Sequence, residues 1–187
     1  MDEINLVTME AEEKMQKAFQ HLTEEFGGLN TGKASPAMVD MITVDYYGSP
    51  TPIKQLGNIT IPEPRLLVIT PFDPSTLPEI EKSILAANIG VTPMNDGRII
   101  RIPVPELSEE RRRDLTKIAS RNSEDQRVAV RNIRRDANDQ LKSMQKNGDI
   151  TEDDLKDALD EVQKLTDTTI KKIDDALSTK ESEILEE

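Results

Sequence analysis

Apolar residues recur at intervals of three and four in three stretches of the chain, and the stretch between the first and second follows a different rule. Near the start, Ile4, Val7, Ala11, Met15, Ala18, Leu22 and Phe26 line one face of a helix. Gly27–Gly28 should end it, although Leu29 is still in phase. Residues 108–146 predict a second helix, opened by Ser108 with Glu109 and Glu110 behind it and closed by Asn147–Gly148, which turns the chain back. Thr151 then begins T-E-D-D, a capping-box-like start with acids on the first turn. Leu155, Leu159, Val162, Leu165, Thr169, Ile173 and Ala176 form the third stripe, widened by Ala158, Ile170 and Leu177. Helices of about 27 to 39 residues are about 40–60 Å long. None is stable alone with so much exposed Leu, Ile and Val, so the three are expected to bundle.

The middle alternates instead. Ile42, Val44 and Tyr46 interleave with Thr43 and Asp45 before a predicted turn at Gly48-Ser49-Pro50. Asn58–Ile61 and Leu66–Thr70 read as short strands, and Ser75 as the cap of a short helix carrying Leu77, Ile80, Ile84 and Leu85. Asn95-Asp96-Gly97 is a hairpin signal leading into Ile99–Val104. All 11 prolines lie between Pro36 and Pro105, and proline interrupts helix interiors. The pattern therefore predicts an α+β protein. Residues 1–30 and 106–187 form a three-helix bundle that is discontinuous in sequence, and residues 34–104 form a small β-rich domain inserted into it. Two short crossings join them, at 30–33 (Asn30, Thr31, Gly32, Lys33) and 103–105 (Pro103, Val104, Pro105). Two short linkers side by side permit bending but resist free tumbling, so a hinge is expected there, with a rigid junction as the alternative.

Composition narrows the function. The 187 residues contain no Cys, which removes disulfides and cysteine metal sites, and a single His, His21, which argues against a histidine metal cage or a Ser-His-Asp relay. No apolar run approaches the roughly 20 residues that span a bilayer. The acidic start has no secretory or transit character, so a soluble cytoplasmic protein is expected. With two Tyr, three Phe and no Trp, a sheet that stacks bases on aromatic rings is not expected. Carboxylate pairs abound, but none has an associated base, nucleophile or glycine-rich phosphate loop. Asp73 and Ser75 read as turn and cap residues, and Asp154 occupies the position where a calcium loop running from Asp149 to Asp160 needs glycine. Neither an enzyme nor a cofactor is expected.

Charge changes this picture. The net formal charge is −12, yet residues 111–135 hold nine basic residues against three acidic ones. Residues 149–187 hold five Lys against 14 acids, so the sign reverses between neighbouring helices. At about 100° per residue, Arg113, Arg127, Arg131, Arg134 and Arg135 fall within about 100° of one another. Leu115, Ile118, Ala119, Ala129, Ile133, Ala137 and Met144 cluster opposite them. The planar fork of Arg suits bidentate phosphate contacts, and a basic stripe without aromatics suits the backbone of a folded RNA. The same arginines could instead pair with the acidic neighbouring helix.

Specific strings then resemble the ribosome recycling factor family: TGKASPAMVD, VDYYGSPTPI, ITIPEPR, GVTPMNDGRIIRI, LSEERRRDL, VRNIRRDAND and VQKLTDTTIKKID, in the family's order over nearly the whole chain. The resemblance implies a three-helix bundle with an inserted α+β domain in an L of transfer-RNA-like proportions. It implies a translation factor that enters the vacated tRNA sites after termination and binds large-subunit ribosomal RNA; a monomer is expected separately, because the helices show no second apolar seam. With elongation factor G and GTP hydrolysis on that partner, it splits the subunits and releases messenger RNA. The family's bundle arginines carry over to Arg131, Arg134 and Arg135, with Arg127 on the same face. Arg111 and Arg112 match the family's E-E-R-R but point away from that face on an ideal helix. Asn30 and Lys33 replace arginines usual in the family, so neither is counted among the RNA-binding residues. A helical adaptor whose acidic last helix contacts a basic partner, or a factor that holds subunits apart, are the competing expectations.

Overall fold

The computed structural model describes residues 2–29 and 31–185. In chain order it contains α1 (Asp2–Gly27), α2 (Ala37–Asp40), β1 (Thr43–Tyr46), β2 (Ser49–Pro52), α3 (Ile53–Leu56), β3 (Gly57–Glu63) and β4 (Leu66–Pro71). There follow α4 (Leu77–Ala87), β5 (Met94–Asn95), β6 (Ile100–Pro103), α5 (Glu109–Lys146) and α6 (Glu152–Leu185). Three long helices and a small sheet-bearing region are the α+β class that the hydrophobic pattern predicts. Packing divides the chain into two compact units, Met1–Thr23 with Thr116–Ser182 and Glu24–Leu115 with Glu183–Glu187. The last turn of α1 and the first two turns of α5 thus count with the sheet-bearing unit.

In the helical unit, Ala11, Ala137, Leu141, Ala158 and Val162 form one core, flanked by Ile4, Val7, Ile133, Met144, Leu155 and Leu159. All three long helices contribute. Their ends follow local chemistry. Ser108 caps α5, its Oγ accepting from the Arg111 N–H at 3.1 Å. Gly148, at φ +80°, takes the left-handed conformation that ends α5, and the Asp149 N–H reaches back to the Met144 carbonyl at 2.9 Å. At the start of α6, Thr151 Oγ1 accepts from the Asp154 N–H at 3.1 Å while Asp154 Oδ2 accepts from the Thr151 N–H at 3.2 Å, a reciprocal box. Thr151→Ala should therefore lower stability by about 1 kcal/mol in thermal unfolding. Backbone and side-chain hydrogen bonds from Thr151 hold the Asp154 carboxyl below its ordinary 3.8. A depressed carboxyl stabilises above the unfolded value and loses that contribution as pH falls through the folded one. The Asp154→Asn penalty measured at pH 7 should accordingly shrink below pH 3.8.

The apolar seam of α5 is rotated from its expected centre. On α5 the fully buried residues are Leu115, Ala119, Ser123, Val130 and Leu141, while Ile118, Ala129 and Ile133 are only half-buried. On an ideal helix this moves the seam about 50° towards the arginine face. On α6 the small polar Thr166 is buried, its hydroxyl bonded to the Val162 carbonyl at 2.8 Å.

In the sheet-bearing unit, β3-β4-β6-β5 form an antiparallel sheet and β1-β2 a separate hairpin. Val39, Val44, Ile53, Leu67, Ile69, Ile80, Ile84, Ile100 and Ile102 fill the core between them and α4. Two local expectations need correction. Ser49 and Pro50 lie in β2, paired with Tyr46 and Asp45, and the turn is Tyr47–Gly48. Ser75 is not the cap: Asp73 accepts from both its N–H at 3.0 Å and its hydroxyl at 2.7 Å, in a 3-10 turn that leads into α4. Leu85 faces solvent, because α4 buries only the Leu77, Ile80 and Ile84 edge.

Candidate nucleic-acid interface

The structure separates the predicted arginines by the company they keep. Arg127 is tied across helices. Its Nη2 lies 2.7 Å from Asp174 on α6, and its Nη1 donates to Glu124 at 3.1 Å. Its side chain is only 18 % exposed. Burial opposes its charge, but the hydrogen bonds and attraction of Asp174 and Glu124 outweigh that and raise its pKa further. Glu124 also accepts from Arg131 at 3.2 Å. Hydrogen bonds from Arg127 and then Arg131 hold the Glu124 carboxyl below its ordinary range.

Arg134 is half-buried and donates to the side-chain carbonyl of Gln163 on α6 at 3.3 Å. The Gln163 amide in turn donates to Asp167 at 2.8 Å. Arg134 therefore leans on a neutral partner, which orients a guanidinium without cancelling its charge. Arg135 is exposed and forms no ion pair among the described residues. The rotated seam explains this division. Arg127 and Arg134 sit on the edge of the face nearer the buried seam and reach α6, while Arg131 and Arg135 project on the outer edge.

Arg111 and Arg112 belong to the first turns of α5, in the sheet-bearing unit, and are not brought together with the other four. Arg111 is exposed on the wall of an open recess with Asn88, Ile89, Gly90 and Pro105–Ser108. Arg112 is half-buried and lines a cavity of about 280 Å³ with Thr31, Gly32, Lys33, Pro64, Arg65, Glu106 and Leu107.

The crossing segments are anchored at one turn of this unit. The Ala34 N–H donates to the Pro64 carbonyl at 2.8 Å, and the Val104 N–H to the Arg65 carbonyl at 2.7 Å. The Arg65 guanidinium pairs with Glu106. Gly32, at φ +81°, is buried against Leu107, Lys33 is exposed, and Pro103 and Pro105 are exposed. The expected hinge residue Asn30 lies outside the described residues.

Glu124, Gln163, Asp167 and Asp174, which orient this face, were not singled out from sequence. Three of them lie in VQKLTDTTIKKID, and that string was the available signal. Among the described residues, no group of His, Asp or Glu is arranged to hold a metal ion. No helix among them is long and apolar enough to cross a membrane.

A family model described as ribosome recycling factor matches residues 7–185. The ribosome-recycling factor of Geobacillus kaustophilus (strain HTA426) is 55% identical over 180 residues, 96% of this chain and 97% of that protein. That of Alkaliphilus oremlandii (strain OhILAs) is 56% identical over 175 residues, 94% of this chain and 95% of that one. Among solved structures, a solution structure of the ribosome recycling factor superposes with a TM-score of 0.82 at 40% identity, covering 99% of this chain and 98% of that chain. A second holds the T. thermophilus ribosome recycling factor and the E. coli elongation factor G bound to the E. coli post-termination complex. Its recycling factor matches with a TM-score of 0.69 at 41% identity, covering 97% of this chain and 98% of that chain.

Proposed function

The chain belongs to the ribosome recycling factor family, and from that premise we propose that its helical unit docks on large-subunit ribosomal RNA through Arg131, Arg134 and Arg135. After termination the protein, together with elongation factor G, splits the post-termination complex so that the ribosome leaves the messenger RNA. It works in the cytoplasm, performs no chemistry of its own and needs no cofactor. The observation that carries the docking surface is the state of its charges. Arg134 is held by a neutral amide and Arg135 is unpaired among the described residues, so both offer full charge to a phosphate. Arg127, tied to Asp174 and Glu124, serves to position Arg131 through the shared Glu124 rather than to bind. Arg111 and Arg112 are secondary contacts at most, and Thr31–Lys33 with Pro103–Pro105 form the hinge.

Light scattering of post-termination ribosomes tests the function. The chain with elongation factor G and GTP should dissociate them into subunits, and neither protein alone should. Dissociation that does not need elongation factor G would favour the anti-association alternative. No dissociation, with no binding to large subunits, would favour the adaptor.

The Gln163 contact yields its own expected result. Gln163→Glu places a carboxylate on Arg134 and should weaken large-subunit binding about threefold to tenfold, with unchanged thermal stability. Gln163→Ala, which frees Arg134 without neutralising it, should cost less. Filter binding of the two variants at one salt concentration checks the order, and the reverse order would remove Gln163 from the site.

A further inference from the structure

The sheet-bearing unit carries an open recess of about 270 Å³ lined by Asp45, Tyr46, Tyr47, Gly48, Ser75, Thr76 and Glu79. Its walls are the β1–β2 hairpin tip and the entry to α4. No Lys or Arg lines it. Glu79 has neither hydrogen-bond nor ion-pair partner among the described residues, and Asp45 uses one oxygen to accept from the Gly48 N–H at 2.8 Å. The two rings meet edge to face with centroids 4.6 Å apart.

Tyr47 is not explained by the fold. It is 84 % exposed, although the chain has only five aromatic residues with which to build cores. It also sits at φ +50°, followed by Gly48 at φ +85°, in a two-residue turn with both positions left-handed. That turn favours Asn-Gly, and a bulky ring at its first position is unfavourable. An exposed aromatic held in an unfavourable conformation beside two carboxylates that pair with no cation among the described residues is a feature of recognition rather than of packing.

We propose that this recess receives an arginine side chain presented by a protein partner. A guanidinium stacks on an aromatic face and forks onto a carboxylate, and the recess offers both elements within one rim. Phosphate is disfavoured by Asp45 and Glu79, which sets this surface apart from the arginine face of the helical unit. Lysine, a compact and strongly hydrated charge, gains less from the rings.

The test is an NMR titration of the full ¹⁵N-labelled chain with N-acetyl-arginine amide, N-acetyl-citrulline amide as the neutral isostere, and uridine monophosphate. Arginine should shift the amides of residues 45–48 and 75–79 saturably and citrulline should not. Glu79→Gln should weaken the response about two- to fivefold. Tyr47→Asn should weaken it similarly while leaving the melting temperature equal or higher, because Asn suits the turn. That pairing separates loss of recognition from loss of fold. Equal shifts with citrulline would overturn the proposal, as would arginine shifts spread equally over the acidic first turn of α6. Shifts with uridine monophosphate but not with arginine would assign the recess to RNA instead.

Discussion

Arg134→Ala should weaken binding to large ribosomal subunits tenfold or more, a cost of about 1.4 kcal/mol, while leaving the melting temperature within a degree or two. The two halves of that expectation come from one geometry. Arg134 makes a single hydrogen bond, 3.3 Å long, to the neutral side chain of Gln163, so its removal strands no carboxylate. Its charge is uncompensated in the free protein, so a phosphate contact made on docking is a net gain. Equilibrium binding and a thermal melt on the same preparation check both. Unchanged affinity would make the residue structural, and a collapse of stability would leave the loss of binding without meaning.

Arg127→Ala should behave in the opposite way. Its side chain is 18 % exposed and tied to Asp174 and Glu124, so truncation leaves Asp174 without a cation and Glu124 with Arg131 alone. Those acids are half in solvent, which discounts the penalty, and a loss of about 1–2 kcal/mol is expected. Denaturant unfolding reads this directly. Binding should fall by less than for Arg134→Ala, and only through Arg131, which is left sharing Glu124 with no other cation. The acid side follows from the same cluster. Arg127 and Arg131 depress the Glu124 carboxyl, so its contribution persists above pH 4.5 and fades as pH falls through the folded value. In Arg127→Ala that part of the acid limb should flatten.

The arginines that share one face in a helical projection thus differ in their partners. Arg127 is tied to Asp174 and Glu124, and Arg113 to Glu109, while Arg131, Arg134 and Arg135 are the three proposed for docking. A projection alone could not make that division. It depends on where the buried seam of α5 lies. Counting large apolar residues centres the seam near Leu115 and Ile133, whereas packing against two neighbours admits Ser123 and fully buries Val130 and Leu141. The resulting turn of about 50° brings Arg127 and Arg134 within reach of α6. Long helices were legible because many turns repeat the same period and because Ser108, Gly148 and Thr151 carry explicit end signals. The hairpin tip was not. Gly48-Ser49-Pro50 looks like a turn by composition, yet cross-strand pairing places Ser49 and Pro50 in β2 and forces Tyr47 into the left-handed position. Asp73 outcompeted Ser75 as cap because a carboxylate two residues earlier accepts two hydrogen bonds from Ser75 itself.

The central claim is that a small set of arginines on one helix meets phosphate, and its most direct test is the salt dependence of binding to isolated large ribosomal subunits. Wild type and an Arg131, Arg134 and Arg135 to Ala triple variant would be titrated over the same salt range. Each phosphate contact contributes a slope of about 0.7–0.9 in log K against log salt. The account predicts a steep slope for wild type and one shallower by about 2–3 for the variant, with binding by the two proteins converging at high salt. Parallel slopes and equal affinities would mean that these arginines do not touch RNA.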